Sequence, residues 1–323
     1  MRLLFRMWQD LHRRNRLACI VACIMCLSMA PPTVLARRYP YGVQGAHVVH
    51  GSVSFGYFGN TTTITASDRS VIDYISFDIA RSDIVRFIQP SPGASVLNRI
   101  TSARPTNIDG TLLANGRVFF VNPAGVYIGV DAQINVNQLV ASGLNISNAD
   151  YINDQMNFTG GDGTVTNQGD IIATGVILLG KHVINAGNIS CPEGHIIMAA
   201  GERMFVRELG SGVIIQIDPS TGSEPQDSLP LMESEPGVLN QGNIEAAGGR
   251  ITLGAGDFYA KAVSNIGSLS ASVTTGKAGR IDMTANVGQI SNTGSIKARS
   301  DSGTGGSIAA AAAEVINSGT IDV

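Results

Sequence analysis

Cysteine is nearly absent from this sequence. Four are present in 323 residues, and Cys19, Cys23 and Cys26 all fall near the amino terminus. Cys191 is then alone, so no intramolecular disulfide can staple the fold, and the core must be large enough to do without one. Charge is also sparse, at 15% of residues, as are aromatics at 6% and proline at 12 residues. Those values exclude both a disordered chain and a collagen-like one. What remains is glycine, 38 residues of it, with abundant Asn, Ala, Ile and Val. That mixture suits many short strands joined by many turns.

Met1 to Ala36 has the layout of a targeting segment. Arg2, Arg6, Arg13, Arg14 and Arg16 precede an apolar run from Leu17 to Met29. The run is too short to span a bilayer and suits a signal peptide handed to the Sec machinery. Val34-Leu35-Ala36 predicts cleavage after Ala36, because Pro31 disfavours a cut after Ala30. No apolar pair follows Arg13-Arg14, which argues against a twin-arginine signal, and too little apolar sequence precedes Cys23 for a lipoprotein box. Removing the segment takes five of 22 basic and one of 25 acidic residues, leaving a net charge of −7. An acidic mature chain is a poor partner for nucleic acid or an anionic membrane.

The chain is organised around Gln89 to Asn148. Val126, Ile128, Val130, Ala132, Ile134 and Val136 alternate with polar or small residues, which predicts a strand with one buried face. Val118-Phe119-Phe120-Val121 precedes it, across an Asn122-Pro123-Ala124-Gly125 corner. A parity slip at Asn137-Gln138 predicts a bend. Nothing in the stretch predicts a helix. Upstream, Tyr39 to Thr65 is expected to form an amino-terminal cap with His47 and His50 exposed on it. Ile75, Phe77 and Ile79 are expected inward on the next strand, and Val85 and Phe87 on the one after.

From Thr164 onward Asn-x-Gly-x-Ile/Leu recurs, beginning at Asn167, Asn185, Asn240, Asn265, Asn292 and Asn317. The intervals are 18, 55, 25, 27 and 25 residues. A second mark, Gly-Arg/Ser-Ile, begins at Gly249, Gly279 and Gly306. Such periods predict a β-solenoid, here with two short strands per repeat. The asparagines are expected to stack along the axis and each following Ile or Leu to point inward. Asn and Gly are expected to supply left-handed backbone at the corners. An antiparallel sandwich is the competing architecture. The long interval holds an acidic, Pro-rich excursion at 218–237, expected as a solvated loop. The last rung breaks off in Thr320-Ile321-Asp322-Val323 without a polar or helical cap, which predicts self-association through that end.

Little in the chain points to catalysis. Asp68, Asp73, Asp78 and Asp83 are spaced by five and so alternate in strand parity. His12, His47, His50, His182 and His195 show no metal-ligand spacing. Cys191 stands before Pro192 without a His–acid constellation and is expected to be inert. No catalytic, cofactor or metal site is expected.

Gln89-Pro90-Ser91, Leu97-Asn98-Arg99-Ile100, Ile108-Asp109-Gly110, Leu113-Ala114-Asn115-Gly116 and Asn122-Pro123-Ala124-Gly125 carry a resemblance. In this order they resemble the amino-terminal secretion domain of two-partner secretion exoproteins, the filamentous-haemagglutinin and high-molecular-weight-adhesin group. The similarity runs from about Gly42 to at least Val206. One position departs: Ala124 stands where the family's turn usually has Asn. The resemblance implies an all-β fold, a right-handed parallel β-helix with an amino-terminal β cap. It implies a secretion domain over 37–210, with further rungs over 211–323. It also implies an adhesin-like exoprotein, exported through the periplasm and recognised by an outer-membrane barrel with periplasmic peptide-binding domains. The destination would be secretion or the surface of a Gram-negative-type bacterium, with a host-cell or matrix carbohydrate or protein as a further partner. The corner motif expected to carry recognition is Asn98, Arg99, Asn115, Asn122, Pro123 and Gly125. A β-helix carbohydrate-active enzyme or carbohydrate-binding module is the alternative.

Overall fold

The computed structural model describes residues 42–209, 212–217, 235–256, 259–273, 276, 279–301 and 305–323. The signal segment with Ala36, and 218–234 of the acidic excursion, lie outside the described residues. The described chain winds into a parallel β-helix. Arg117–Val121, Val126–Ile128 and Gln133–Asn135 make one circuit, and Gln138–Ser142 opens the next with Gln138 opposite Arg117. Each circuit therefore contributes three strands, not the two expected, and repetition builds sheets of ten, eight and eleven strands. Stacking is what stabilises them, since a three-residue strand buries too little to persist alone.

The extra corner explains the miscount. Residues 126 to 136 are not one strand: the Gly129 carbonyl accepts from the Ala132 amide at 3.0 Å, and the chain turns between them. Val130, expected on the buried face, sits on that turn and is 70% exposed, whereas Val126, Ile128, Ala132, Ile134 and Val136 are buried. The bend expected at Asn137 separates Gln133–Asn135 from Gln138–Ser142. Ile75 is likewise exposed, because its strand stops at Tyr74; Phe77 and Ile79 are buried as expected. Val85 and Phe87 are buried in Ile84–Ile88.

At the amino-terminal end, His47–His50 runs antiparallel to Ser70–Tyr74, with both histidines exposed. Val53–Phe58 runs antiparallel to Thr61–Ala66. Thr61–Ala66 already pairs in parallel with Ile84–Ile88, so it belongs to the stack rather than to the cap.

The asparagine expectation holds in detail. Asn167, Asn185, Asn240, Asn265 and Asn292 lie one above another and are all buried. Each Nδ2 donates to the Oδ1 of the next, at 2.8, 2.8, 2.8 and 2.7 Å, and Asn292 donates to Asn317 at 2.6 Å. The Ile or Leu after each motif is buried from Ile171 to Ile296. The glycines do a different job from the one expected. None of the six motif glycines has a positive φ. A Cβ on Gly187, Gly242 or Gly267 would stand 2.0–2.2 Å from the carbonyl oxygen of the preceding rung's glycine. Glycine is needed there because two backbones pass at contact.

The ten-stranded sheet is buried on both faces in its early rungs. Leu139 and Ala141 face the interior, while Val71, Leu97, Phe119, Val140, Ile177 and Ile197 form a second cluster outside. A helix, Asn148–Ile152, and an antiparallel sheet of 145–146, 156–159, 203–209 and 212–217 cover that cluster. Two-sided burial is why Gly175–Gly180 reads as an unbroken apolar run. The departure from the stack thus begins at Arg203, before the acidic excursion. Cys191 is fully buried, and burial pushes its thiol up to about 12, as an inert thiol requires.

Further along the same outer face, Arg250 and Arg280 stand on successive rungs and both donate to Asp282, at 2.7 Å from each. Burial alone would raise this carboxyl, but the hydrogen bonds and charges of Arg280 and Arg250 together hold it below its ordinary 3.8. A depressed folded value stabilises the fold above the unfolded pKa and ceases to as pH falls through the folded one. Asp282→Asn should therefore lower stability near neutrality and flatten the decline below about pH 4. Urea midpoints measured from about pH 6 to about pH 2 test this, and wild-type and variant curves that stay parallel refute it.

Candidate functional site

The expected recognition residues gather around one strand, Arg117–Val121. Asn115 stands at its beginning and Asn122 at its end. Asn98 and Arg99 lie on the neighbouring strand, opposite Phe120 and Val121. Sequence placed all four beside corners. Asn98 and Arg99 are instead inside the strand Ser95–Ile100, pointing to opposite faces by the period of two. The four therefore share no common surface.

Asn122 is fully buried, and its side chain ties its own turn to the 104–106 segment. Its Nδ2 donates to the Arg104 carbonyl at 2.9 Å and to Thr106 Oγ1 at 3.1 Å. Its Oδ1 accepts from the Ala124 amide at 3.0 Å, a side-chain turn that leaves residue 124 free to be Ala. Gly125 closes the corner with its amide on the Asn122 carbonyl at 2.8 Å. Its φ of +114° requires glycine. A Cβ would also lie 2.6 Å from the Thr164 carbonyl oxygen of the next rung. Pro123 is half-buried on the bend between them. Arg104, Thr106 and Thr164 complete this corner, and no local signal in the sequence pointed to them.

Asn115 does a similar task outside. It is exposed, and its side chain pairs with the Gln89 backbone in both directions, at 2.7 and 2.8 Å. Gln89 in turn donates to the Ala94 and Arg117 carbonyls. The Gln-Pro-Ser and Leu-Ala-Asn-Gly motifs are thus two halves of one interlock. Asn98 donates to the Phe119 carbonyl at 3.1 Å, and its Oδ1 is buried without a hydrogen-bond partner. Arg99 pairs with Asp73 at 3.5 Å and donates to the Ile146 carbonyl and to Asn148 Oδ1. It thereby pins the start of the Asn148–Ile152 helix, whose far end Arg69 holds through the Ile152 carbonyl. Tyr151 donates from that helix to Ser95 Oγ at 2.8 Å. The helix was not expected; Ser147 followed by Asp150, an N-cap pattern, was its signal.

Among the described residues, no group of three or more His, Cys, Asp and Glu is placed to hold a metal ion. Asp68 and Asp78 cap the backbone amides of Ser95 and Asn107. Burial raises Asp78 above the ordinary carboxylate value, though the Asn107 amide and Arg104 oppose it.

A stacked β-helix whose polar side chains are spent on its own backbone is a scaffold module, and comparison with known proteins assigns its family. The chain belongs to the TPS (two-partner secretion) secretion-domain family, whose model matches residues 56–322. It is 30% identical over 285 residues to a heme/hemopexin-binding protein of Haemophilus influenzae, covering 82% of this chain and 29% of that protein. A second heme/hemopexin-binding protein of that species is 43% identical over 76 residues, or 24% of this chain and 8% of that protein. The chain thus spans less than a third of the length of these curated relatives. The crystal structure of the HMW1 secretion domain from Haemophilus influenzae superposes with a TM-score of 0.76 at 32% identity, covering 87% of this chain and 73% of that one.

Proposed function

We propose that this β-helix is the export address of an adhesin-like exoprotein, read by an outer-membrane transporter with periplasmic peptide-binding domains. The chain would enter the periplasm through the Sec machinery, lose its signal after Ala36 and finish outside the cell or on its surface. A host-cell or matrix carbohydrate or protein would be met there by the folded stack. The observation that carries the reading is the burial of its two central asparagines. Asn98 and Asn122 are fully buried in the finished rung, so no partner can touch them there. They are available only while the segment is extended, and a periplasmic domain could take such a segment as an added strand. Closing the rung then withdraws the address and leaves the transporter behind.

The test compares two buried asparagines. Asn122→Ala leaves the Arg104 carbonyl, Thr106 and the Ala124 amide without their partner, so it should cost about 1–3 kcal/mol of stability. It cannot be expected to leave the melting temperature nearly unchanged, as a purely exposed corner residue would. Asn265→Ala removes equivalent bonds in the repeat region and should cost a similar amount. With the transporter co-expressed, Asn122→Ala should be secreted at a small fraction of the wild-type level and Asn265→Ala near it. Equal secretion of the two would show that Asn122 matters only to the fold. Exported protein should begin at Arg37.

A further inference from the structure

The amino-terminal ends of the three sheets are finished differently. The ten-stranded sheet ends in His47–His50, where the pairing slips between Val48 and His50. The eight-stranded sheet ends in the three-residue strand Thr106–Ile108, beside which Ile79 forms a bridge. A bulge and a short, bridged strand are both ways of blunting an edge. The eleven-stranded sheet has neither device. It ends in Val53–Phe58, six residues long, which among the described residues pairs only with Thr61–Ala66, in unbroken register. Residues 42–67 contain no Asp, Glu, Lys or Arg, and this strand contains no proline. Tyr57 is 73% and Phe58 88% exposed.

The open edge is complementary to itself. The Ser52 carbonyl accepts from the Ser67 amide at 2.8 Å. Alternation in an antiparallel ladder then turns the even-numbered backbone groups inward and leaves those of Val53, Phe55 and Tyr57 facing outward. Two copies related by a two-fold axis through Phe55 would place Phe55 opposite Phe55 and Val53 opposite Tyr57. All of these side chains lie on the side where Val53 and Phe55 already pack against the interior cluster. On the other side Ser54 would face Gly56, where a missing side chain leaves room. Every outward amide and carbonyl of the strand would be paired, and no charge would be desolvated. We propose that Val53–Phe58 is a docking edge for the same strand of a second copy, joining two β-helices cap to cap.

Analytical ultracentrifugation of the secreted chain tests this with two substitutions. Tyr57→Lys places an ammonium beside the apolar Val53 of the second copy and should weaken dimerisation at least about tenfold. Ile316→Lys, on the carboxy-terminal rung, should leave the cap-to-cap dimer in place. Should Tyr57→Lys melt well below wild type, Tyr57→Pro gives the same readout, since it removes an outward amide that bonds nothing among the described residues. A wild-type chain that stays monomeric overturns the proposal. So does a dimer that survives both Tyr57 substitutions, or one lost only on Ile316→Lys.

Discussion

Val126→Asp should leave the protein unfolded. Val126 is 1% exposed and sits between Thr106 and Val165 in the eight-stranded sheet, facing the interior. Its inward neighbours on successive rungs are Val165, Val183, Val238 and Val263, none of which can donate a hydrogen bond. A carboxylate there either stays charged with no counter-ion and only the Thr106 hydroxyl as a near donor, or takes up a proton and remains under-satisfied. The cost is about 3–5 kcal/mol or more, comparable with the whole stability of an ordinary domain. Tyr127→Asp is the control. Tyr127 points outward, is half-buried, and its hydroxyl meets Gln168 at 2.8 Å. It should lose about 1 kcal/mol and keep its β-sheet circular dichroism. If both aspartates fold equally well, the interior is wetter than its side chains imply.

Gly242→Ala is the second large effect, and it comes from a single methyl group. The new Cβ would lie 2.0 Å from the Gly187 carbonyl oxygen, a backbone atom that no rotamer change can move. Relief means parting the two rungs. That sacrifices the bonds from Gln241 and Gly242 to the Asn185 carbonyl, and from Asn243 to the Gly187 carbonyl, now 2.7, 3.1 and 2.9 Å. Overpacking and broken ladder bonds together should cost about 3–5 kcal/mol. Gly93→Ala, with nothing within 4 Å of its added methyl, should be close to neutral. Denaturant midpoints for the pair measure the difference. A Gly242→Ala midpoint equal to that of Gly93→Ala would mean the rungs slide apart at little cost.

The solenoid was legible because the Asn-x-Gly-x-Ile pattern encodes a contact between copies of itself. Asn185 meets Asn240 across 55 residues, and the period was visible despite the intervening excursion. The third strand of each circuit was not legible. The turn at Gly129–Ala132 preserves the alternation on either side, so only the exposure of Val130 betrays it. The motif glycines misled for a related reason: a close approach between backbones and a left-handed φ both demand glycine, and sequence cannot separate them. At the Asn122 corner the turn was legible but its burial was not. Asn122 reaches Arg104 and Thr106 on another rung, and nothing local distinguishes that from an exposed turn asparagine. The helix after Ser147 is only five residues long, too short for any periodicity to register.

The asparagine column has a polarity. From Asn167 to Asn317 every amide gives its proton toward the higher-numbered neighbour, and none points back. Aligned amide dipoles polarise one another, so the column behaves as one cooperative chain rather than as five separate links. Cutting a line in the middle leaves two short, weakly polarised pieces, while trimming its end shortens it by one. The same Asn→Ala change should therefore cost more at Asn240 than at Asn167, although each is fully buried in an equivalent corner. Position along the axis, which no single rung records, becomes a property of each residue in it.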